Sequence, residues 1–484
     1  MPHASAYLPI AGLGRRISRA VLAGAAVCAV IGLSAPAASA QSLDEAMAKA
    51  YRDNPTLQAR RAQLRAVDEG VPQALSGWRP SVEMTGTVGG VRTRQNINPR
   101  KDTRTTRSLQ LEIRQNLYNG GSTAANVAAA EADVLAERAR LLSTEQSVLF
   151  DAVSAYMDVV RDQAVLSLNQ QNERRLRRQL EATRDRFEVG EVTRTDVAQA
   201  ESRLSRASSD RIRAAGNLEV SRATYERVVG APPGELEQPT GLVELPSSRG
   251  EAVELAGARN PDVSATIYDR RSALSAIDSQ VGDLLPDVDV VGTASHNRKT
   301  FSTDSEQNEL RLTAELTVPI YQQGFQTSEV REAKQRARQA LDAIEEARRA
   351  ATEDATSAWE TYRTSLAEIE AIREEVRAAE IALEGVQQEA TVGQRTVLDV
   401  LDAEQELLDA RVSLVEAERD LLVARYDLLG AVGGLTARDL GLDVDYYDPY
   451  SHYSGVRNQV WGLGEPAEAS DFDADAPPSA AAPE

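Results

Sequence analysis

The sequence predicts a mainly α-helical protein that also carries a membrane β-barrel segment, built from a duplicated unit of helix, two strands, very long helix and helix. Three observations predict it. Two halves of the chain match at a nearly constant offset, seven-residue repeats run far longer than a compact domain needs, and short alternating segments are the only candidates to cross a membrane.

The duplication comes first because it sets the grammar. Asn54-Pro55 recurs as Asn260-Pro261, Pro80 as Pro286 and Glu45-Ala46 as Glu251-Ala252, each 206 residues later. Tyr118 and Gly121 then match Tyr321 and Gly324, Val189-Gly190 matches Val392-Gly393, and Asp196-Val197 matches Asp399-Val400, now 203 residues later. One loop of the second copy is therefore shorter, between the proline and the tyrosine. A period of about 200 residues is far longer than that of any solenoid, so it marks a duplicated domain.

In each copy the elements follow in order. A first helical stretch is expected from about Leu43 to Leu75, stopping near Pro80 because the residue before proline disfavours α geometry. The period then changes to two. Val82, Met84, Gly86 and Val88 alternate with Ser81, Glu83, Thr85 and Thr87, and Leu109, Leu111 and Ile113 alternate with Gln110, Glu112 and Arg114. The second copy repeats this with Val288, Val290 and Gly292, then with Leu310, Leu312, Ala314, Leu316 and Val318. Strands are expected at about 81–92, 105–118, 287–299 and 309–321, with Pro80, Pro286 and Pro319 marking helix–strand transitions. Between Ser122 and Glu188 there is no proline or glycine, so one helix of about 67 residues, roughly 100 Å, can run through.

Heptads supply the strongest signal. Val127, Val134, Leu141 and Val148 are seven apart, as are Val400, Leu407, Leu414, Leu421 and Leu428, then Leu401, Leu408, Val415, Leu422 and Leu429, and Ala403, Ala410, Ala417, Ala424 and Ala431. A sustained repeat of 3.5 residues per turn imposes left-handed supercoiling. Two apolar rows and an alanine row form a stripe wide enough for two neighbours, as a wall of helices requires.

Composition narrows the class. Of 484 residues only 4% are aromatic, and the net charge is −20, which argues against a nucleic-acid partner. Arg15, Arg16 and Arg19 precede an apolar run from Ala20 to about Leu33, followed by Ala38-Ser39-Ala40, which reads as a secretory signal over 1–40 cleaved before Gln41. The single cysteine, Cys28, lies in that run, so the mature chain is expected to have no thiol chemistry or disulfide. No stretch after Gln41 is apolar enough for a spanning helix, so any crossing must use strands. Four strands cannot close a barrel, and an open edge cannot face lipid. Two copies would give eight strands and a filled interior, whereas three would give twelve and room for water. A trimer is expected.

The chain resembles the TolC family of outer-membrane efflux and secretion channels from Gln41 to about Leu442. The resemblance rests on the Asn-Pro of each first helix, the paired strands between prolines, and the segments Val-Gly-x-x-Thr-x-x-Asp-Val-x-x-Ala-Glu at Val189 to Glu201 and Val392 to Glu404. It implies a homotrimer with a twelve-stranded β-barrel and a long α-helical coiled-coil barrel, located in the outer membrane with a large periplasmic portion. It also implies a periplasmic adaptor, an inner-membrane ABC or RND transporter, type I protein secretion or drug efflux, and no enzymatic activity. The units are then 41–235 and 236–445, followed by a segment over 446–484.

Within that resemblance the hairpin tips carry the candidate site. Gly190 and Gly393 suit the left-handed end of a helix. Asp399 and Asp402 are three apart and share a helix face, so a trimer would stack two carboxylate rings that favour cations and raise some carboxyl pKa values by repulsion. Arg395 and Asp196 are candidates for polar contacts that hold the tip shut, and Thr195 belongs to the same gate and selectivity region. The bland reading of the aspartates is a solvated helix face. One departure from the family pattern is Ala390, where the aromatic of the first copy is Phe187.

Other features say less. Arg92, Arg94, Arg100, Lys101, Arg104 and Arg107 form a basic loop suited to lipopolysaccharide phosphates, or simply to water. His296 and His452, without cysteine, make a metal site improbable, and no cofactor is expected. Residues 462–484 carry Glu465, Glu468, Asp471, Asp473 and Asp475 without a basic residue, an acidic tail. The alternative reading is a periplasmic coiled-coil adaptor or scaffold. An enzyme using the Asp399/Asp402 pair is a third, disfavoured because no cleft is built around it.

Overall fold

The computed structural model describes residues 41–94, 101–239 and 244–464. The signal segment with Cys28, Arg100 and most of the acidic tail lie outside the described residues.

The first copy opens with α1 (Leu43–Asp53) and α2 (Pro55–Asp68), where a single helix to Leu75 was expected. Asn54 breaks it. Its backbone is extended (φ −66°, ψ 122°), as a residue before proline prefers, and its Oδ1 accepts from Thr56 N at 2.9 Å, capping a helix that begins on Pro55. Asn54 Nδ2 also donates to Val228 O at 2.9 Å, tying the break to a distant helix end. The second copy repeats the device, with Asn260 capping α7 (Pro261–Gly282) after α6 (Arg249–Arg259). A short α3 (Gly70–Leu75) and a 3-10 turn (Ser76–Trp78) lead to Pro80, one residue before β1 (Ser81–Arg94). Pro286 likewise precedes β3 (Asp287–Arg298), and Pro319 follows β4 (Glu306–Thr317). β2 spans Lys101–Asn119.

The four strands form one antiparallel sheet in the order β1-β2-β3-β4, so the two hairpins join edge to edge through β2 and β3. The register aligns the faces. Met84 lies opposite Leu111, Leu111 opposite Ala294, and Ala294 opposite Leu310. Paired residues project to the same side, so Val82, Met84, Ile113, Val288, Leu312 and Leu316 share one face, and Glu83, Glu112, Thr293 and Arg311 share the other. The apolar face is bare: Val88 is 74% exposed and Leu310 87%. On the polar face Arg114 is held by Asp289 at 3.0 Å and Glu112 at 3.3 Å. Among the described residues β1 and β4 each pair on one side only.

Two helix hairpins descend from the sheet, α4 (Ser122–Glu188) with α5 (Arg194–Val229), and α8 (Phe325–Thr391) with α9 (Val397–Ala431). α4 and α8 each have 67 residues. Burial follows the heptad along α4, through Val127, Val134, Leu141, Val148, Ala155, Asp162, Asn169, Leu176 and Thr183. Ala200, Ala207, Ala214, Ser221 and Val228 of α5 bury at the same spacing. α9 differs from its sequence expectation: Ala410, Ala417 and Ala424 are buried, while Leu414, Val415, Leu421 and Leu422 are only half-buried in the single chain. The main core gathers α1, α2, the middle of α4 and the upper ends of α5 and α9 around Met47, Leu64, Leu149, Tyr156 and Leu428. After α9 the chain folds back on this core. Ala437 N donates to Glu145 Oε1 at 2.8 Å, and within α10 (Ser451–Val456) the His452 Nδ1 lies 3.1 Å from the buried Asp68.

Candidate functional site: the hairpin tips

Each tip is built by two backbone devices in sequence. At the first, Gly190 (φ +82°) lets its N–H reach Phe187 O at 3.0 Å while Glu191 N donates to Arg186 O at 2.9 Å. This double bond pattern closes the end of α4 as a Schellman motif. Gly393 (φ +79°) repeats it, its N–H donating to Ala390 O at 3.1 Å while Gln394 N donates to Glu389 O at 2.9 Å. The returning helix then starts on a capping box. Thr193 N and Oγ1 both donate to Asp196 Oδ2 at 2.8 Å, and Asp196 N returns a bond to Thr193 Oγ1 at 3.3 Å. Thr396 and Asp399 make the same set at 2.8, 2.8 and 3.2 Å. The Thr-x-x-Asp core of the repeated motif is therefore a helix start.

That geometry decides the electrostatics of the aspartates within one chain. Asp399 is held below the usual carboxylate range, first by the Thr396 backbone bond and then by its hydroxyl, with a smaller contribution from Arg395. Asp196 is lowered in the same way by Thr193. Inside the single chain these carboxylates are thus stabilised as anions, where repulsion within a ring was expected to raise some of them. Asp402 makes no such bond; its Oδ1 meets the Arg203 guanidinium of α5. Arg395 does not reach Asp196 in the chain, and its Nε donates to Glu389 Oε2 at 2.8 Å. Thr195 is exposed, as are Phe187 and, on the other tip, Val392. Behind the tips Leu176, Ala207 and Leu401 form a small apolar cluster with Leu204 and Val397, joining the two hairpins.

Sequence reasoning missed four of these residues. Thr193 and Thr396 were legible, because Ser/Thr followed three residues later by an acid is a helix-start signature. Arg203 and Glu389 carried no local signal. Among the described residues no group of His, Cys, Asp and Glu could hold a metal ion. No described helix is long and apolar enough to cross a membrane.

Comparison with known proteins places these elements. The family model "Outer membrane efflux protein" matches residues 46–231 and again 252–434, one stretch for each copy of the unit. The chain is 35% identical over 435 residues to outer membrane efflux protein BepC of Brucella suis, covering 90% of this chain and 94% of BepC. It is 26% identical to outer membrane protein TolC of Vibrio cholerae, covering 87% and 96%. The crystal structure of the Vibrio cholerae outer membrane protein VceC superposes with a TM-score of 0.70 at 19% identity, covering 81% of this chain and 96% of VceC. The chain therefore belongs to the outer membrane efflux protein family, the TolC family: it is an outer-membrane channel protein with a large periplasmic portion, and it is not an enzyme.

Proposed function

We propose that three copies of this chain close a twelve-stranded barrel in the outer membrane and a helical tunnel below it, conducting substrates handed over by a periplasmic adaptor and an inner-membrane ABC or RND transporter. The observation that carries the reading is the sheet. It bares an apolar face, and among the described residues its edge strands β1 and β4 each lack a partner on one side. An edge inside lipid must be paired, and β4 of one copy against β1 of the next does so three times over. The polar face, with Arg114, Glu112 and Asp289, then lines water. Residues 1–40 act as the export signal, 41–235 and 236–445 as the two repeats, and 446–484 as a C-terminal segment with an acidic tail.

In this reading Asp399, Asp402, Arg395, Asp196 and Thr195 surround the periplasmic opening, and Gly190 and Gly393 shape its turns. Arg92, Arg94 and Arg107, near the far end of the sheet, suit lipopolysaccharide phosphates. Arg104 is less available, since it pairs with Asp102 at 2.5 Å and donates to Thr300 O at 2.8 Å. Cargo, whether polypeptide or drug, follows from the transporter served.

The test is purification from outer-membrane fractions followed by planar-bilayer recording. A heat-modifiable trimer that conducts ions is expected, and Asp399→Ala with Asp402→Ala should lower its cation preference. Release of a monomer by osmotic shock, with no conductance, would instead establish a periplasmic scaffold.

A further inference from the structure

After α9 the chain climbs back along α4 toward the sheet, one heptad at a time. Ala437 N donates to Glu145 Oε1 at 2.8 Å, and Arg457 Nη2 donates to Glu131 Oε1 at 2.9 Å. Between them the Arg138 guanidinium lies over the Tyr450 and Tyr453 rings, 4.0 and 5.1 Å from their centres. Glu145, Arg138 and Glu131 are spaced by seven, so the climb from first contact to last is roughly 21 Å along the helix. A second set of contacts keeps pace. His452 meets Asp68 at the end of α2, and Arg79 Nη1 donates to Gln459 O at 2.9 Å. Arg79 lies between the 3-10 turn and β1, so Gln459 stands at the level where the sheet begins. Val460, Trp461, Gly462 and Leu463 follow, and their three large apolar side chains are bare, Trp461 at 94% exposure. At this end of the sheet β1 and β3 start and β2 and β4 finish. Trp78, Tyr118, Ile320 and Tyr321 are exposed there too, Tyr118 on the apolar face with its partner Val288.

We propose that residues 460–463 enter the phospholipid leaflet on the periplasmic side of the outer membrane, beside the foot of the barrel, and anchor the helical part of each protomer to that surface. The inference rests on the membrane-barrel reading given above. Trp and Tyr concentrate where hydrocarbon meets water, because the ring is apolar and its polar edge keeps a hydrogen bond. A barrel's apolar band is flanked by girdles of such residues, and Trp78, Tyr118 and Tyr321 supply one at the foot of this sheet. Trp461 reaches the same level by a separate route, from a segment that follows both family-matched stretches. The apolar run is four residues long and the sequence turns acidic from Glu465, so the run suits an interface and is far too short to span. The contacts behind it decide what the anchor holds. Arg138 and Arg457 fix the segment to α4, and His452 and Arg79 fix it to the end of α2 and the entry of β1. A force on the long helices is then borne by lipid as well as by the strands.

The experiment places the full-length chain in phosphatidylcholine vesicles whose acyl chains carry bromine, a quencher of indole fluorescence, either near the head group or near the chain end. Trp78→Phe with Trp359→Phe leaves Trp461 as the one tryptophan. Its emission should fall severalfold with bromine near the head group and less with bromine near the chain end. If that pair of substitutions disturbs assembly, the parent set against Trp461→Phe gives the same reading. The lipid-quenched fraction of emission should drop in the variant, and an unchanged fraction overturns the anchor. Leu312→Trp, in a chain also carrying Trp78→Phe, Trp359→Phe and Trp461→Phe, reports on the apolar face of the sheet and should be quenched as well. Trp461 emission that ignores both lipids but falls with aqueous iodide overturns the anchor and leaves the segment in water. Emission that ignores all three quenchers overturns it too, and buries the residue against protein, a second copy included. In both cases quenching of Leu312→Trp keeps the barrel reading intact. Lipid silence at both positions overturns the barrel itself.

Discussion

The two longest helices, α4 and α8, run 67 residues each and carry seams at the same seven-residue spacing. They use it differently. The α4 seam holds Val127, Val134, Leu141 and Val148, and the helix touches α1, α2, α3, α5, α7 and α9. The α8 seam is Val330, Ala337, Ile344, Ala351, Ala358 and Ser365, and its main neighbours are α6, α7 and α9. Some apolar side chains off that seam stay bare, including Leu366 at 44% and Ile381 at 65% exposure, although Ala355, Ile369 and Leu383 are buried beside it. A duplicated unit has thus divided its work: the first copy builds the interior of the protomer, and the second leaves a side uncovered in the single chain. Alanine at the seam suits this, because it brings backbones close while adding little burial of its own.

The largest expected effect breaks or sustains that contrast. Leu149→Ala empties a site 1% exposed in the main core and should cost about 2–5 kcal/mol, read as a lower unfolding temperature. Ile381→Ala should leave the protomer fold unchanged and, if the proposed trimer packs on this side, lower the temperature at which it dissociates in detergent. Equal losses of fold stability in the two variants would show that α8 is as much an interior helix as α4.

A second contrast lies where strand passes into long helix. The first copy enters α4 through Gly120 and Gly121, the second enters α8 through Gln323 and Gly324. Gly120 (φ +67°) and Gln323 (φ +57°) have the same left-handed backbone, yet only the first is crowded. A Cβ on Gly120 would fall 2.1 Å from the Gly282 carbonyl oxygen, at the end of α7. Gly120→Gln, which merely copies the second unit, should therefore cost about 1–3 kcal/mol through overpacking against that backbone. Gln323→Gly should be close to neutral in thermal unfolding. A harmless Gly120→Gln would mean that the α7 end yields, and that the two junctions are equivalent after all.

These particulars show what was legible. The bounds of α4 followed from the absence of proline and glycine between Ser122 and Glu188, and the faces of the sheet from strict alternation, because both depend on local pattern alone. The break at Asn54 was equally local, but the helical period continues across it and masked the proline. The half-buried Leu414 and Leu421 could not be read from the heptad, which says that a residue is apolar and not which molecule covers it. At the tips, glycine and Thr-x-x-Asp fix the turns from sequence. The pairing of Arg203 with Asp402, 199 residues apart, depends on how two hairpins lie against each other, and no spacing rule encodes that.

The smallest expected effect concerns the tips, where the copies are most alike. Thr193→Ala and Thr396→Ala each remove a helix cap and should cost about 1 kcal/mol of local stability, seen as faster hydrogen exchange in the first turns of α5 and α9. The two should match, since their bond sets match. Acid separates them. Asp196 and Asp399 have folded pKa values depressed by their cap bonds, so their contribution is present above the ordinary carboxylate value and is lost as pH falls through the folded one. Both tips should therefore hold steady from neutrality to about pH 4 and loosen below it. Only Asp399 has a cation, Arg395, adding to that depression, and both groups are solvent-exposed. The second tip should therefore loosen at a lower pH than the first in dilute buffer, and the gap should close in high salt, where exposed charges are screened. Exchange measured from pH 6 downward at two ionic strengths reads this directly. Tips that loosen together at low salt would remove Arg395 from the account and leave the capping bonds as the whole difference between an ordered and a frayed turn.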